Sequence, residues 1–123
     1  MLFICYPKCA TCQKAKKWLT EKGIKFEERN IKEYNPTEEE IAKWYAQSGL
    51  PLKKFFNTSG LLYKEMQLKK KLADMSESEQ IKLLASDGML VKRPLCINDK
   101  FVLLGFKDSE WQEFFPKTNM QES

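Results

Sequence analysis

The 123-residue sequence contains no histidine. That absence excludes a Ser-His-Asp relay, a Cys-His pair and imidazole metal ligands. Chemistry near neutral pH must then rest on cysteine, lysine, carboxylates or backbone dipoles. Arginine is scarce as well: Arg29 and Arg93 are the two examples among 21 basic residues, and the net charge of +4 is carried by lysines spread along the chain. Nucleic-acid binders concentrate charge, often as arginine, on one face, so no direct nucleic-acid partner is expected. The densest patch, Lys69-Lys70-Lys71, reads as a solvated helix face. No run of about 18 apolar residues occurs, which excludes a membrane-spanning helix. The stretch Met1–Lys8 lacks a basic leader and a long apolar region and does not read as a secretory signal; a cytoplasmic location is expected.

What is present suits one globular unit, at roughly 100–200 residues per domain, with 42% apolar and 31% charged residues. Leu2-Phe3-Ile4-Cys5-Tyr6 is a short apolar run that stops at Pro7, the pattern of a buried strand. A helix should begin near Ala10, with Cys12, Ala15 and Leu19 on one face and Trp18 beside them. Gly23 is placed to end it, with Ile24 folding back as its hydrophobic contact. Residues 24–31 alternate as a second, partly exposed strand. Two capping boxes, Thr37-Glu38-Glu39-Glu40 and Ser76-Glu77-Ser78-Glu79, each open a helix. The first lines up Ile41, Trp44, Tyr45 and Ser48 and closes at Gly49; the second buries Ile81, Leu84 and Ala85. A short helical turn is expected around Lys53–Phe56 and a helix from about Leu62 to Lys70. Leu95-Cys96-Ile97, the turn Asn98-Asp99-Lys100 and Phe101–Leu104 read as a hairpin. Asp108 or Ser109 then caps a last helix striped by Trp111, Phe114 and Phe115. The result is an α/β unit over residues 1–115, βαβ then a helical insertion at about 33–90 then ββα, around a small mixed sheet. Residues 116–123 are expected to be a flexible tail.

Cys9-Ala10-Thr11-Cys12 is the sharpest feature. A CxxC at the junction of a first strand and first helix reads as a thioredoxin-like redox motif. Cys9 would sit at the helix N-terminus, where unpaired N–H groups and the macrodipole stabilise a thiolate. Such placement lowers a cysteine pKa from about 8.5 to roughly 3.5–7.5, and Lys8 and Lys14 lie close in sequence. Cys12, about one turn later on the inward stripe, can reach Cys9, which suggests an attacking thiol and a sheltered resolving thiol. Half of a zinc site needs another Cys or His pair; here the remaining thiols are the isolated Cys5 and Cys96, so no metal is expected. Both of those lie in strand-like runs and read as core packing.

With these pieces in order the sequence resembles the ArsC/Spx family of thioredoxin-fold proteins, which includes glutaredoxin-coupled arsenate reductases and Spx-type transcription regulators. The resemblance covers about residues 2–115. It rests on Tyr6-Pro7-Lys8-Cys9-Ala10-Thr11-Cys12, on the helical insert, on Leu90-Val91-Lys92-Arg93-Pro94-Leu95 and on Leu104-Gly105-Phe106-Lys107. It implies that Pro94 is a cis proline facing the active cysteine. Arg93 would then lie near Cys9 and offer a planar, two-pronged grip on an oxyanion or a peptide carboxylate. It further implies Cys9 as nucleophile, no bound cofactor, and glutathione, glutaredoxin or thioredoxin as electron donor.

The sequence departs from the reductases in two ways. Of their three oxyanion-binding arginines, Arg93 has a counterpart; Asn57-Thr58-Ser59-Gly60 stands where a second would be, and Lys107 is the nearest cation to the third. Cys12 has no counterpart in the single-thiol arsenate reductases. The Spx-type members share the CxxC and the Arg-Pro element and bind the α-subunit of RNA polymerase, which makes a redox-sensing regulator without turnover the alternative to a thiol–disulfide oxidoreductase. Gly49 falls where those regulators carry a glycine at the polymerase contact, and it is equally explained as a helix C-cap.

Overall fold

A computed structural model describes residues 1–115; the expected tail at 116–123 lies outside the described residues. In chain order the elements are β1 (Leu2–Cys5), α1 (Ala10–Glu21), β2 (Glu27–Asn30), α2 (Glu38–Ser48), a 3₁₀ turn (Leu52–Phe55), α3 (Leu61–Glu65), α4 (Leu68–Lys71), α5 (Glu77–Ser86), β3 (Leu95–Ile97), β4 (Val102–Leu104) and α6 (Asp108–Phe114). The four strands form one sheet in the order β2-β1-β3-β4. β3 runs antiparallel to both its neighbours, with Phe3 opposite Cys96 and Cys96 opposite Leu103. The chain divides into two compact units, one formed by Met1–Arg29 with the segment from Arg93 onward, the other by Asn30–Lys92.

In the first unit α1 buries Cys12, Ala15, Trp18 and Leu19, the i, i+3, i+6, i+7 stripe of an amphipathic helix. It ends in a Schellman motif: the N–H of Ile24 bonds Leu19 O at 3.0 Å and the N–H of Gly23 bonds Thr20 O at 3.1 Å, with Gly23 at φ +71°. This cap uses residues 23 and 24, which is why the second strand is shorter than the alternation over 24–31 predicts. At the β3–β4 turn, Asn98 Oδ1 accepts the N–H groups of Lys100 (2.8 Å) and Phe101 (2.9 Å). That Asx turn takes Phe101 out of the strand.

The core of this unit is aromatic. Trp111 lies 5.8 Å from Trp18 and 4.8 Å from Phe106, centroid to centroid, both edge-on. α6 differs from expectation at both ends. Lys107, not Asp108 or Ser109, is its N-cap residue, because the Asp108 carboxylate accepts the Trp18 indole N–H (3.1 Å) and the Gln112 amide (2.7 Å) instead. At the other end Phe114 is 41% exposed, so the buried stripe narrows to Trp111 with Phe115 half-buried.

In the second unit both capping boxes form, at Thr37/Glu40 and Ser76/Glu79. Gly49 closes α2 at φ +68°. α2 packs on α5, and Tyr45 donates its hydroxyl to Glu77 at 2.9 Å. On α5 Leu84 is fully buried, while Ile81 and Ala85 are half-buried. The single helix expected over about 62–70 is instead two short ones, broken at Gln67, which takes a left-handed φ of +55°. Tyr63 and Leu68 are both buried. Five residues apart on one continuous helix they would point roughly 140° from each other, and the break lets both turn inward. Lys69, Lys70 and Lys71 are exposed, and no described helix is long and apolar enough to cross a membrane.

Candidate functional site

All cysteines and Arg93 fall within the first unit. β1 ends at Cys5, and the loop from Tyr6 to Cys9 turns the chain into α1. The Cys9 N–H closes that turn on Tyr6 O at 2.9 Å, and Gln13 clamps it by donating its amide to Pro7 O at 2.7 Å. Cys9 is thereby held as the N-cap of α1, in extended conformation (φ −89°, ψ 122°) with no side-chain cap bond. Cys9 is half-buried and adjoins the first turn of α1, whose leading N–H groups have no partner within the helix. Cys12 is fully buried, its sulfur accepting the Tyr6 N–H at 3.3 Å.

Cys12 neighbours two other thiols, sharing side-chain hydrogen bonding with Cys5 and with Cys9. Its pKa is raised, first by the bond with Cys5 and then by burial, against smaller lowering from Tyr6 and Cys9. Cys5 moves the opposite way, lowered chiefly because Cys12 donates to it. Within this pair Cys12 is thus the thiol that keeps its proton. All four cysteines are free. Among the described residues, no group of three or more His, Cys, Asp or Glu side chains is arranged to hold a metal ion.

Arg93 stacks its guanidinium over the Tyr6 ring, 5.4 Å from the centroid. The peptide between Arg93 and Pro94 is cis, and Pro94 O accepts the Gly105 N–H at 2.8 Å. Arg93 Nε and Nη1 are buried yet have no hydrogen-bond partner among the described residues. Buried guanidinium donors left unpaired carry a desolvation cost of about 1–3 kcal/mol or more, which a bound acceptor would relieve. Tyr6 therefore links the two halves of the site: its backbone N–H meets Cys12, its carbonyl meets Cys9 and its ring carries Arg93. Lys8 and Lys107 are exposed and take part in no ion pair among the described residues.

The sequence reading missed Cys5 as a neighbour of the motif, together with Glu28 and Tyr6. The available signal was the position of Cys5 at the C-terminal end of β1, where the strand runs straight into the loop that carries Cys9. Cys96 is pure packing: fully buried, its thiol meets Met1 Sδ at 3.3 Å and burial pushes its pKa from 9.0 to about 12. Because the folded value lies above the unfolded one, this thiol's contribution to stability is intact below about pH 9 and is lost as pH rises toward 12. At pH 10 the loss is about 1.4 kcal/mol. Cys96→Val removes that component, so the fall in urea-unfolding free energy between pH 8 and pH 10 should shrink by about that amount. Equal falls in variant and parent would contradict it.

The fold and the thiol pair define a thioredoxin-like protein with a CxxC at the head of its first helix. The chain belongs to the ArsC family, whose profile matches residues 5–114. It is 55% identical over 113 residues to YusI of Bacillus subtilis, covering 92% of this chain and 96% of that one. It is also 25% identical to the global transcriptional regulator Spx of Streptococcus mutans, over 90% of this chain and 80% of the regulator. Among solved structures, an ArsC family related protein of Bacteroides fragilis superposes with a TM-score of 0.88 at 58% identity, covering 91% of this chain and 94% of that one. A Streptococcus mutans protein described as a possible arsenate reductase gives 0.82 at 41% identity, over 90% and 96%.

Proposed function

We propose that this protein is a thiol–disulfide oxidoreductase in which Cys9 attacks and Cys12 resolves. The observation that carries the reading is a half-buried Cys9 capping α1 with a buried Cys12 thiol in contact behind it. In the forward step the Cys9 thiolate attacks one sulfur of a substrate disulfide and the other sulfur leaves as a thiolate. Cys12 then attacks Cys9, releases the first substrate sulfur as a thiol and closes the Cys9–Cys12 disulfide. Glutathione, glutaredoxin or thioredoxin supplies the two electrons that reopen it, and no bound cofactor is required; a cytoplasmic thiol pool is the natural setting. Arg93, with its unpaired buried donors, receives an anionic group of the substrate in bidentate fashion. An oxyanion such as arsenate fits that role, with Arg93 as the one counterpart in this chain of the three arginines that the family resemblance calls for.

The test is thiol mapping by alkylation and mass spectrometry after mild oxidation and again after reduction. A reversible Cys9–Cys12 disulfide, lost in Cys9→Ser without change in unfolding midpoint, is the expected result. A large loss of stability in Cys9→Ser, or failure of the parent to form the Cys9–Cys12 disulfide at any time after oxidation, would overturn the reading. Similarity to Spx favours one alternative, a redox-sensing regulator that binds the RNA polymerase α-subunit. Binding of that subunit in one redox state, without reductase turnover, would select it.

A further inference from the structure

Cys5 lies outside the CxxC, and the oxidoreductase reading does not use it. It is nevertheless 1% exposed, beside the fully buried Cys12, and its thiol meets Glu28 Oε2 on β2 at 3.6 Å. Glu28 is held in place from its other oxygen by Lys16 Nζ at 2.8 Å, and both of those side chains reach solvent. Cys12 shares side-chain hydrogen bonding with both Cys5 and Cys9, and all three pack in the same core cluster. Cys12 is thus the shared neighbour of Cys5 and Cys9, and Cys5 in turn meets a carboxylate.

We propose that Cys5 is a third redox thiol that takes over the disulfide from Cys9, an inference that rests on the oxidoreductase reading above. Starting from the Cys9–Cys12 disulfide, Cys5 gives its proton through the Glu28 carboxylate to water. Its thiolate attacks Cys12 Sγ, the Cys5–Cys12 bond forms, the Cys9–Cys12 bond breaks, and the electron pair leaves on Cys9 as a thiolate. No outside oxidant or reductant is needed, since one disulfide replaces another. Cys9 is thereby regenerated as a nucleophile while the oxidised pair is stored where water and small thiols reach it poorly. Lys16 is a positioning residue: it fixes the Glu28 carboxylate against Cys5.

The sequence makes the test direct. Trypsin cleaves after Lys8 and Lys14, leaving Cys5 on residues 1–8 and both motif cysteines on residues 9–14. A Cys9–Cys12 disulfide is therefore a loop within one peptide, and a Cys5–Cys12 disulfide joins two. The parent protein is treated with one equivalent of diamide, quenched at intervals with iodoacetamide and digested. The expected course is an early 9–14 loop that gives way to the joined peptides, with Cys9 carrying the alkyl label. Glu28→Gln should slow this second phase about tenfold and leave the first unchanged. Cys9→Ser should form the joined peptides directly. If the loop is the end product in the parent, Cys5 stays labelled and Cys9→Ser forms no disulfide, the proposal is wrong while the two-thiol reading stands. If Cys5→Ala also fails to form the loop, the two-thiol reading fails with it.

Discussion

Trp111→Ala should lower the unfolding free energy by about 3–5 kcal/mol, the range for deleting a large aromatic from a closed core. Trp111 is fully buried, with Trp18 and Phe106 edge-on against it. These neighbours come from α1 and from the loop leading into α6, so the cavity cannot collapse by moving one flexible side chain. Its indole N–H also donates to Gly105 O at 3.2 Å, and alanine leaves that carbonyl without its partner. Trp111→Phe separates the two contributions: it keeps an apolar ring and forfeits the bond, at about 1–2 kcal/mol. Urea unfolding at pH 7 reads both, and a Trp111→Ala loss under about 1.5 kcal/mol would show that the cluster repacks.

Gly88→Ala should destabilise by about 3 kcal/mol or more, the upper end of what overpacking costs. A Cβ at Gly88 would fall well inside contact distance of the Ile31 carbonyl oxygen. Ile31 is itself fully buried, so that backbone cannot retreat. Gly88 begins a tight turn whose first N–H, from Met89, bonds Asp87 Oδ1 at 2.8 Å, which fixes the glycine from its own side. Gly60→Ala is the control. There the nearest obstacle is the Asn57 side-chain amide, which can rotate away, so the cost should be well under half as large. Equal unfolding midpoints for the two variants would sink the close-approach argument.

Local signals in the chain proved sufficient wherever the physics is local. The two capping boxes, the Schellman end at Gly23 and the inward stripe of α1 each depend on residues within about one turn of one another, and each forms. The two-helix break at Gln67 was not legible, because it goes with the burial of both Tyr63 and Leu68, and a periodicity count over this short, lysine-rich stretch does not say that both turn inward. The N-cap of α6 misled for the same reason. Asp108 is a good cap by type, but the Trp18 indole, 90 residues away in sequence, claims its carboxylate.

By itself the sequence determined the family and the residue types available to a site: no histidine, a CxxC at a strand–helix junction, and an Arg-Pro pair ahead of a late strand. These are statements about residue types and short spacings, which a chain carries without folding. Only the tertiary structure decided what stands next to what. It placed Cys5 against Cys12 and Glu28, although Cys5 reads as ordinary strand packing, because alternation along a strand reports burial and not the identity of the neighbour. It also brought the Tyr6 ring under Arg93, 87 residues apart in sequence, and left that arginine's buried donors unpaired, a property that exists only once the surrounding water has been displaced.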